Sequence, residues 1–185
     1  MNAVKIIHKT LVVSMLGGPG SRKSTMAASV FAKLKWKNFN CEYAGEYAKD
    51  KVWEESTNVL NNQIYVFGKQ HHRIWRLAQK VDIVLTDSPL LLSIIYDAEK
   101  RQELENLVMH EFNKYDNLCI FLKRKAFYNP AGRMQNEEES KQKDQEILDL
   151  LFMQDIPYMS VDGDESSVDL IVEKIEERVN LKKQQ

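Results

Sequence analysis

The sequence predicts an α/β fold: a five-stranded parallel sheet with helices on both faces. Three observations predict it. Short apolar runs recur along the 185 residues, separated by segments of helical length, the pattern of strand–helix–strand crossovers. The first run leads into Gly17-Gly18-Pro19-Gly20-Ser21-Arg22-Lys23-Ser24-Thr25 and then into a helical pattern; strand, glycine-rich turn, Lys-Ser and helix in that order form a phosphate-binding loop. The ends of later strands carry Glu46, Asp87 and Arg124, and open parallel sheets bind ligands beyond the carboxyl ends of their strands.

The elements follow in chain order. Residues 11–16 (LVVSML) are the first strand. Residues 25–37 form a helix with Met26, Val30, Phe31 and Leu34 on one face. Residues 39–44 are a short strand ended by Gly45. Residues 46–80 read as helical with a break around 56–62. Residues 81–86 (VDIVLT) are the third strand, closed by Asp87-Ser88-Pro89. A helix over 101–112 precedes the fourth strand, 118–122. Residues 123–136 form a polar loop, 137–154 a helix, 158–161 the fifth strand, and 166–179 a last helix. One domain therefore spans 1–185, with a lid loop around 123–136.

The loop residues explain each other chemically. Glycines let successive N–H groups point at one anion, and the helix N-terminus adds partial positive charge there. In such a loop Gly17, Gly18, Pro19, Gly20, Ser21, Arg22, Lys23, Ser24 and Thr25 bind the phosphates of ATP. Lys23 reaches the β- and γ-phosphates, and the Ser24 hydroxyl ligates Mg²⁺. Arg22 stands where the pattern G-x-x-x-x-G-K-[ST] has glycine. It must hold a negative φ or carry strain. Its guanidinium is expected outward, because Lys23 already occupies the phosphate side; the alternative is a second cation near the γ-phosphate.

Composition narrows the class. Formal net charge is −1, with 43% apolar and 29% charged residues, so the chain as a whole gives no hint of nucleic acid or membrane. No run is apolar and long enough to span a bilayer, and Lys5, His8 and Lys9 interrupt any signal-peptide core. Cys41 and Cys119 fall in expected strands, which suits a reducing compartment and neither a disulfide scaffold nor a metal site. A cytoplasmic protein is expected.

Other strand ends supply a set suited to phosphoryl transfer: a base, a metal anchor and cations. Glu46 is a candidate base for an acceptor hydroxyl; the plain alternative is a first-turn glutamate favouring the helix dipole. Asp87 is a candidate Mg²⁺ anchor; the alternative is an Asx turn before Pro89. Arg124 and Arg133 are candidate lid cations over the phosphates, or solvated surface arginines. Arg73 and Arg76 share a helix face that suits an anionic substrate or plain solvent. His71 and His72 lack partners at ligand spacing, so no metal is expected there.

The chain resembles the P-loop kinase-like ATPase family that includes the nicotinamide-riboside kinase domain of bacterial NAD regulators and many phage-encoded nucleotide-kinase-like proteins. The resemblance is carried by the loop at 17–25, Glu46-Tyr47-Ala48, Thr86-Asp87-Ser88-Pro89-Leu90, Tyr128-Asn129-Pro130-Ala131-Gly132-Arg133 and Ile156-Pro157-Tyr158. It implies a P-loop, nucleoside- or nucleotide-kinase-like fold, ATP and Mg²⁺ as cofactors, and a cleft between the second strand and the lid. The expected activity is transfer of the γ-phosphoryl group to a nucleoside, nucleotide or related metabolite. Lys23, Glu46, Asp87, Arg124 and Arg133 are its expected catalytic residues, and Ser24 and Asp87 its expected metal ligands. A kinase acting on hydroxylated bases in DNA and a nucleotide-binding regulatory module with little turnover are the alternatives. An NTPase motor is disfavoured by the short chain and by the lack of a sensor segment.

Overall fold

The computed structural model describes residues 8–124 and 137–183, and in it five parallel strands form one sheet. The elements are β1 (His8–Leu16), α1 (Lys23–Trp36), β2 (Cys41–Ala44), α2 (Tyr47–Trp53), a 3₁₀ turn (Thr57–Asn61) and α3 (Gln63–Trp75). They continue with β3 (Ile83–Thr86), α4 (Leu92–Tyr96), α5 (Gln102–Phe112), β4 (Tyr115–Lys123), α6 (Glu137–Met153), β5 (Tyr158–Asp162) and α7 (Val168–Lys183). The strand order is β2-β3-β1-β4-β5. β1 is the axis: Ser14 registers with Thr86 of β3 on one side and with Cys119 of β4 on the other.

Alternation along β1 divides the core. Leu11, Val13 and Met15 pack with Met26, Ala27, Val30 and Leu34 of α1 and with Ile171, Val172, Ile175 and Val179 of α7. Val12 and Leu16 face the layer built by α3, α4, α5 and α6. Side chains successive along a strand point to opposite faces, so one strand feeds both layers. Each fully buried Val or Leu contributes about 1.5–3 kcal/mol relative to exposure. Crossover handedness accounts for which helices share a face. The β1-to-β2 connection runs toward one edge of the sheet and all later ones toward the other. Crossovers of a single hand then place α1 opposite α3 to α6.

Boundaries differ from the sequence reading for local reasons. β2 begins at Cys41 rather than 39, because Asn38 turns at φ 61° and the Phe39 N–H closes α1 on the Leu34 carbonyl at 3.0 Å. β3 begins at Ile83 rather than 81, since the Val81 N–H returns to Leu77 O. β4 extends beyond 118–122 at both ends, and α4 was not anticipated. The helix after the loop starts at Lys23 rather than 25. Lys23 and Ser24 thus lie in its first turn, where backbone N–H groups have no intrahelical acceptor. No described helix is long and apolar enough to cross a membrane.

Candidate active site

β1 delivers the phosphate-binding loop to the centre of the sheet edge. Gly17 has φ +142°, and a Cβ there would lie 2.5 Å from the Ser21 hydroxyl oxygen. At Gly18 a Cβ would lie 2.3 Å from the Ser140 carbonyl oxygen of α6. The first turn of the loop is therefore pressed against a helix backbone, which only glycine allows. Lys23 Nζ donates to Gly17 O at 2.8 Å and to Gly18 O at 3.0 Å. Burial pushes the Lys23 ammonium below its ordinary value. Glu46, Asp87 and Asp144 oppose that shift, and Arg124 adds to it.

Arg22 is the N-cap of α1 at φ 65°, ψ 27°. Of the two sequence alternatives, the negative φ is excluded and the left-handed conformation holds, at a cost of roughly 1–2 kcal/mol for an L-residue. The residue is exposed, and it borders the cavity described next.

A cavity of about 350 Å³ opens where β1, β2 and β3 end. Lys23, Ser24, Thr25, Glu46 and Asp87 line it together. Glu46 sits at the N-cap position of α2, yet its side chain makes no cap hydrogen bond. Burial raises its pKa, Lys23 lowers it and Asp87 raises it further. Glu46 thus precedes the first turn of α2 rather than lying in it, and it lines the cavity beside Lys23 and Asp87. Asp87 is 2% exposed, and its Oδ1 has no hydrogen-bond partner among the described residues. Burial, then the Asp87 charge and hydrogen bond, raise the pKa of the adjacent Tyr43 hydroxyl. A buried carboxylate oxygen without a donor is costly unless something cationic meets it. Together with the Ser24 hydroxyl it fits a hard cation that takes few protein oxygens and keeps other ligands for phosphate.

Arg124 is held between the loop and α6. Its Nη1 donates to Pro19 O at 2.7 Å, its Nε to Asp144 at 3.0 Å, and its Nη2 lies 2.9 Å from the same carboxylate. The guanidinium holds the loop and does not line the cavity. Arg133, Tyr128 and the turn 129–132 lie outside the described residues. Arg73 is committed to Asp50 at 2.5 Å and to Gly45 O at 3.1 Å, and Arg76 is exposed at the end of α3. Neither lines the cavity.

The sequence profile of the AAA domain family (AAA_28) matches residues 12–167. The chain belongs to that family. A solved structure of NadR protein in complex with NR resembles this AAA domain with a TM-score of 0.70 at 17% identity, covering 89% of this chain and 51% of that one. The AAA domain thus spans about half the length of NadR. Deoxyadenosine kinase from M. mycoides, solved with dCMP and a flexible dCDP, gives 0.59 at 17% identity over 90% of this chain and 99% of that one. The same enzyme with bound dATP gives 0.55 at 19% identity over 89% and 98%. At these identities the likeness establishes the P-loop kinase-like α/β fold. A comparison with curated protein sequences found no match.

Two residues of the AAA domain's site had not been singled out from sequence. Asp144 of α6 accepts the Gly18 N–H at 2.5 Å through Oδ1. Buried Gln70 of α3 accepts the Tyr47 N–H at 3.0 Å and donates to Gly45 O at 3.2 Å, so its amide brackets Glu46 on both sides. Neither has a local sequence signal: their partners lie 126 and 23 to 25 residues away.

Proposed function

We propose that this AAA domain is an ATP-dependent phosphotransferase that delivers the γ-phosphoryl group to a hydroxyl of a nucleoside-type acceptor. The observation that carries the proposal is the sharing of one cavity by the Lys23 ammonium and the Glu46 and Asp87 carboxylates. A module that only binds Mg·ATP can use Asp87 for the cation but gains nothing from the second carboxylate, Glu46, beside it. Glu46 also favours a hydroxyl over a phosphate acceptor. A hydroxyl must lose a proton as it attacks, whereas a phosphate oxygen is already anionic and would be repelled by the carboxylate.

The other side of the cavity supports the acceptor class. Leu60, Val66 and Leu92 offer apolar walls, and Asn61 and Gln63 offer amides. A flat heterocycle with polar edges suits that lining, and a nucleoside suits the volume. In the proposed reaction Glu46 takes the acceptor proton, and the acceptor oxygen bonds to the γ-phosphorus. The bond to the β–γ bridging oxygen breaks, and ADP leaves with its electron pair. Lys23 and the loop amides hold the phosphates throughout. Ser24 and Asp87 would hold Mg²⁺, which supplies charge neutralisation of the phosphate oxygens.

Glu46→Gln tests the proposal, since it keeps size and removes the base. Turnover should fall about 10²- to 10⁴-fold while Mg·ATP affinity, read by calorimetry, stays within a few-fold. Unchanged turnover would remove Glu46 from the mechanism.

A further inference from the structure

Arg124, Asp144, the Gly17–Gly18 peptide and Lys23 form one continuous chain of hydrogen bonds. Lys23 Nζ donates to the carbonyl of that peptide at 2.8 Å, and its N–H donates to Asp144 Oδ1 at 2.5 Å. Asp144 Oδ2 accepts from Arg124 Nε at 3.0 Å. The same guanidinium reaches the next peptides through Pro19 O at 2.7 Å, and α6 itself through Ser140 O at 3.4 Å. Arg124 and Asp144 side chains are only 12% and 17% exposed.

We infer that Asp144 and Arg124 are positioning residues for nucleotide binding, fixing the phosphate-binding loop and the Lys23 ammonium from the α6 side without touching the nucleotide cavity. The inference rests on the ATP-dependent reading above. A carboxylate on the N–H end of a peptide polarises its carbonyl, which then holds the ammonium more strongly; such chains strengthen cooperatively at low dielectric. The same two anchors, Gly18 N–H and Pro19 O, fix the peptides that lead into residues 20–23, whose amides must converge on one anion. A loop fixed in advance binds without reorganising. That matters here because Arg22 holds a left-handed conformation that an L-residue leaves unless its neighbours hold it. Asp144 lies outside the cavity, so it acts on ATP through the loop it holds and through its charge on Lys23.

Three variants test the inference: Asp144→Ala, Asp144→Asn and Arg124→Lys. The readouts are Mg·ATP affinity by calorimetry, nucleoside binding without ATP, and thermal unfolding without ligand. Asp144→Ala loses both links and should weaken Mg·ATP at least tenfold while nucleoside binding stays within twofold. Asp144→Asn keeps an oxygen for the Gly18 N–H and turns its amide toward Arg124, so it should recover part of the loss. Arg124→Lys keeps the charge but not the planar fork and should weaken Mg·ATP several-fold. Affinities are referred to the folded fraction given by the unfolding curves. Wild-type ATP affinity in Asp144→Ala would overturn the inference alone. Equal loss of ATP and nucleoside binding would reduce the pair to a structural clamp and overturn it too. Absence of ATP binding in the wild type would overturn the inference together with the proposed function.

Discussion

Replacing Gly18 by alanine perturbs the site at its tightest contact. The new Cβ would lie 2.3 Å from Ser140 O, 3.0 Å from Asp144 Oδ1 and 3.2 Å from Arg124 Nη2. Ser140 O belongs to the backbone of α6 and cannot rotate away, so the loop must retreat by about 1 Å to reach ordinary contact. Overpacking of that kind costs about 1–3 kcal/mol. The retreat also breaks the Gly18 N–H to Asp144 bond, and a hydrogen bond to a charged group is worth about 1.5–3 kcal/mol. The sum, about 2.5–6 kcal/mol, is a large part of the roughly 5–15 kcal/mol that holds a domain folded. For a chain of this size it lowers the thermal midpoint by on the order of 10 °C. Gly68 is the control: it is exposed in α3, with nothing among the described residues within 4 Å of its Cβ position. Gly68→Ala should gain up to about 1 kcal/mol through helix propensity. Circular dichroism melts and calorimetric ATP titrations read both variants. A Gly18→Ala protein that melts within 2 °C of wild type and binds ATP normally would mean that Gly18 is not held against α6.

Other predictions concern charge and strain. Arg22→Gly should relieve the left-handed conformation and raise stability by about 1 kcal/mol, with turnover within a few-fold of wild type; a lower midpoint, or turnover down well over tenfold, would contradict this. Lys23→Ala should weaken Mg·ATP more than tenfold and abolish measurable transfer, with filter binding and product analysis as readouts. Because burial raises the Glu46 pKa, the acid limb of kcat/KM for the acceptor should fall above the ordinary value of 4.5. The same shift means the folded state prefers the protonated acid. Its stabilising contribution is complete below pH 4.5 and is lost as pH rises through the folded pKa. Glu46→Gln should therefore melt above wild type at neutral pH, with the gap closing toward pH 4; a gap that stays constant with pH would count against the buried-acid assignment.

Legibility from sequence tracked how local each signal was. The loop at 17–25 and the helix after it were readable, because glycines, Lys-Ser and the 3.6-residue repeat all lie within one segment. Asp87 was readable as the residue that ends an apolar run, and Glu46 as the one that follows Gly45. The five-residue α4 was not readable, since one and a half turns give no period and its Ile-Ile pair also suits a strand. Arg124 was singled out as a site cation, but its partners in the fold were not readable. What it binds is set by α6, and Asp144 approaches Gly18 only after the chain has folded. Gln70 is hidden similarly: a glutamine in an amphipathic helix looks like a surface residue until β2 and β3 bring Gly45 and Thr86 to it.

Transfer of the γ-phosphoryl group to a nucleoside hydroxyl is read by incubation with ATP labelled at the γ-phosphate. The protein is mixed with Mg·ATP and a panel of ribo- and deoxyribonucleosides, their monophosphates, and DNA with and without hydroxylated bases. The expected result is label on a nucleoside, one ADP per labelled product, and loss of both in Glu46→Gln. Label on a monophosphate or on DNA, or ATP bound without any transfer, would contradict it.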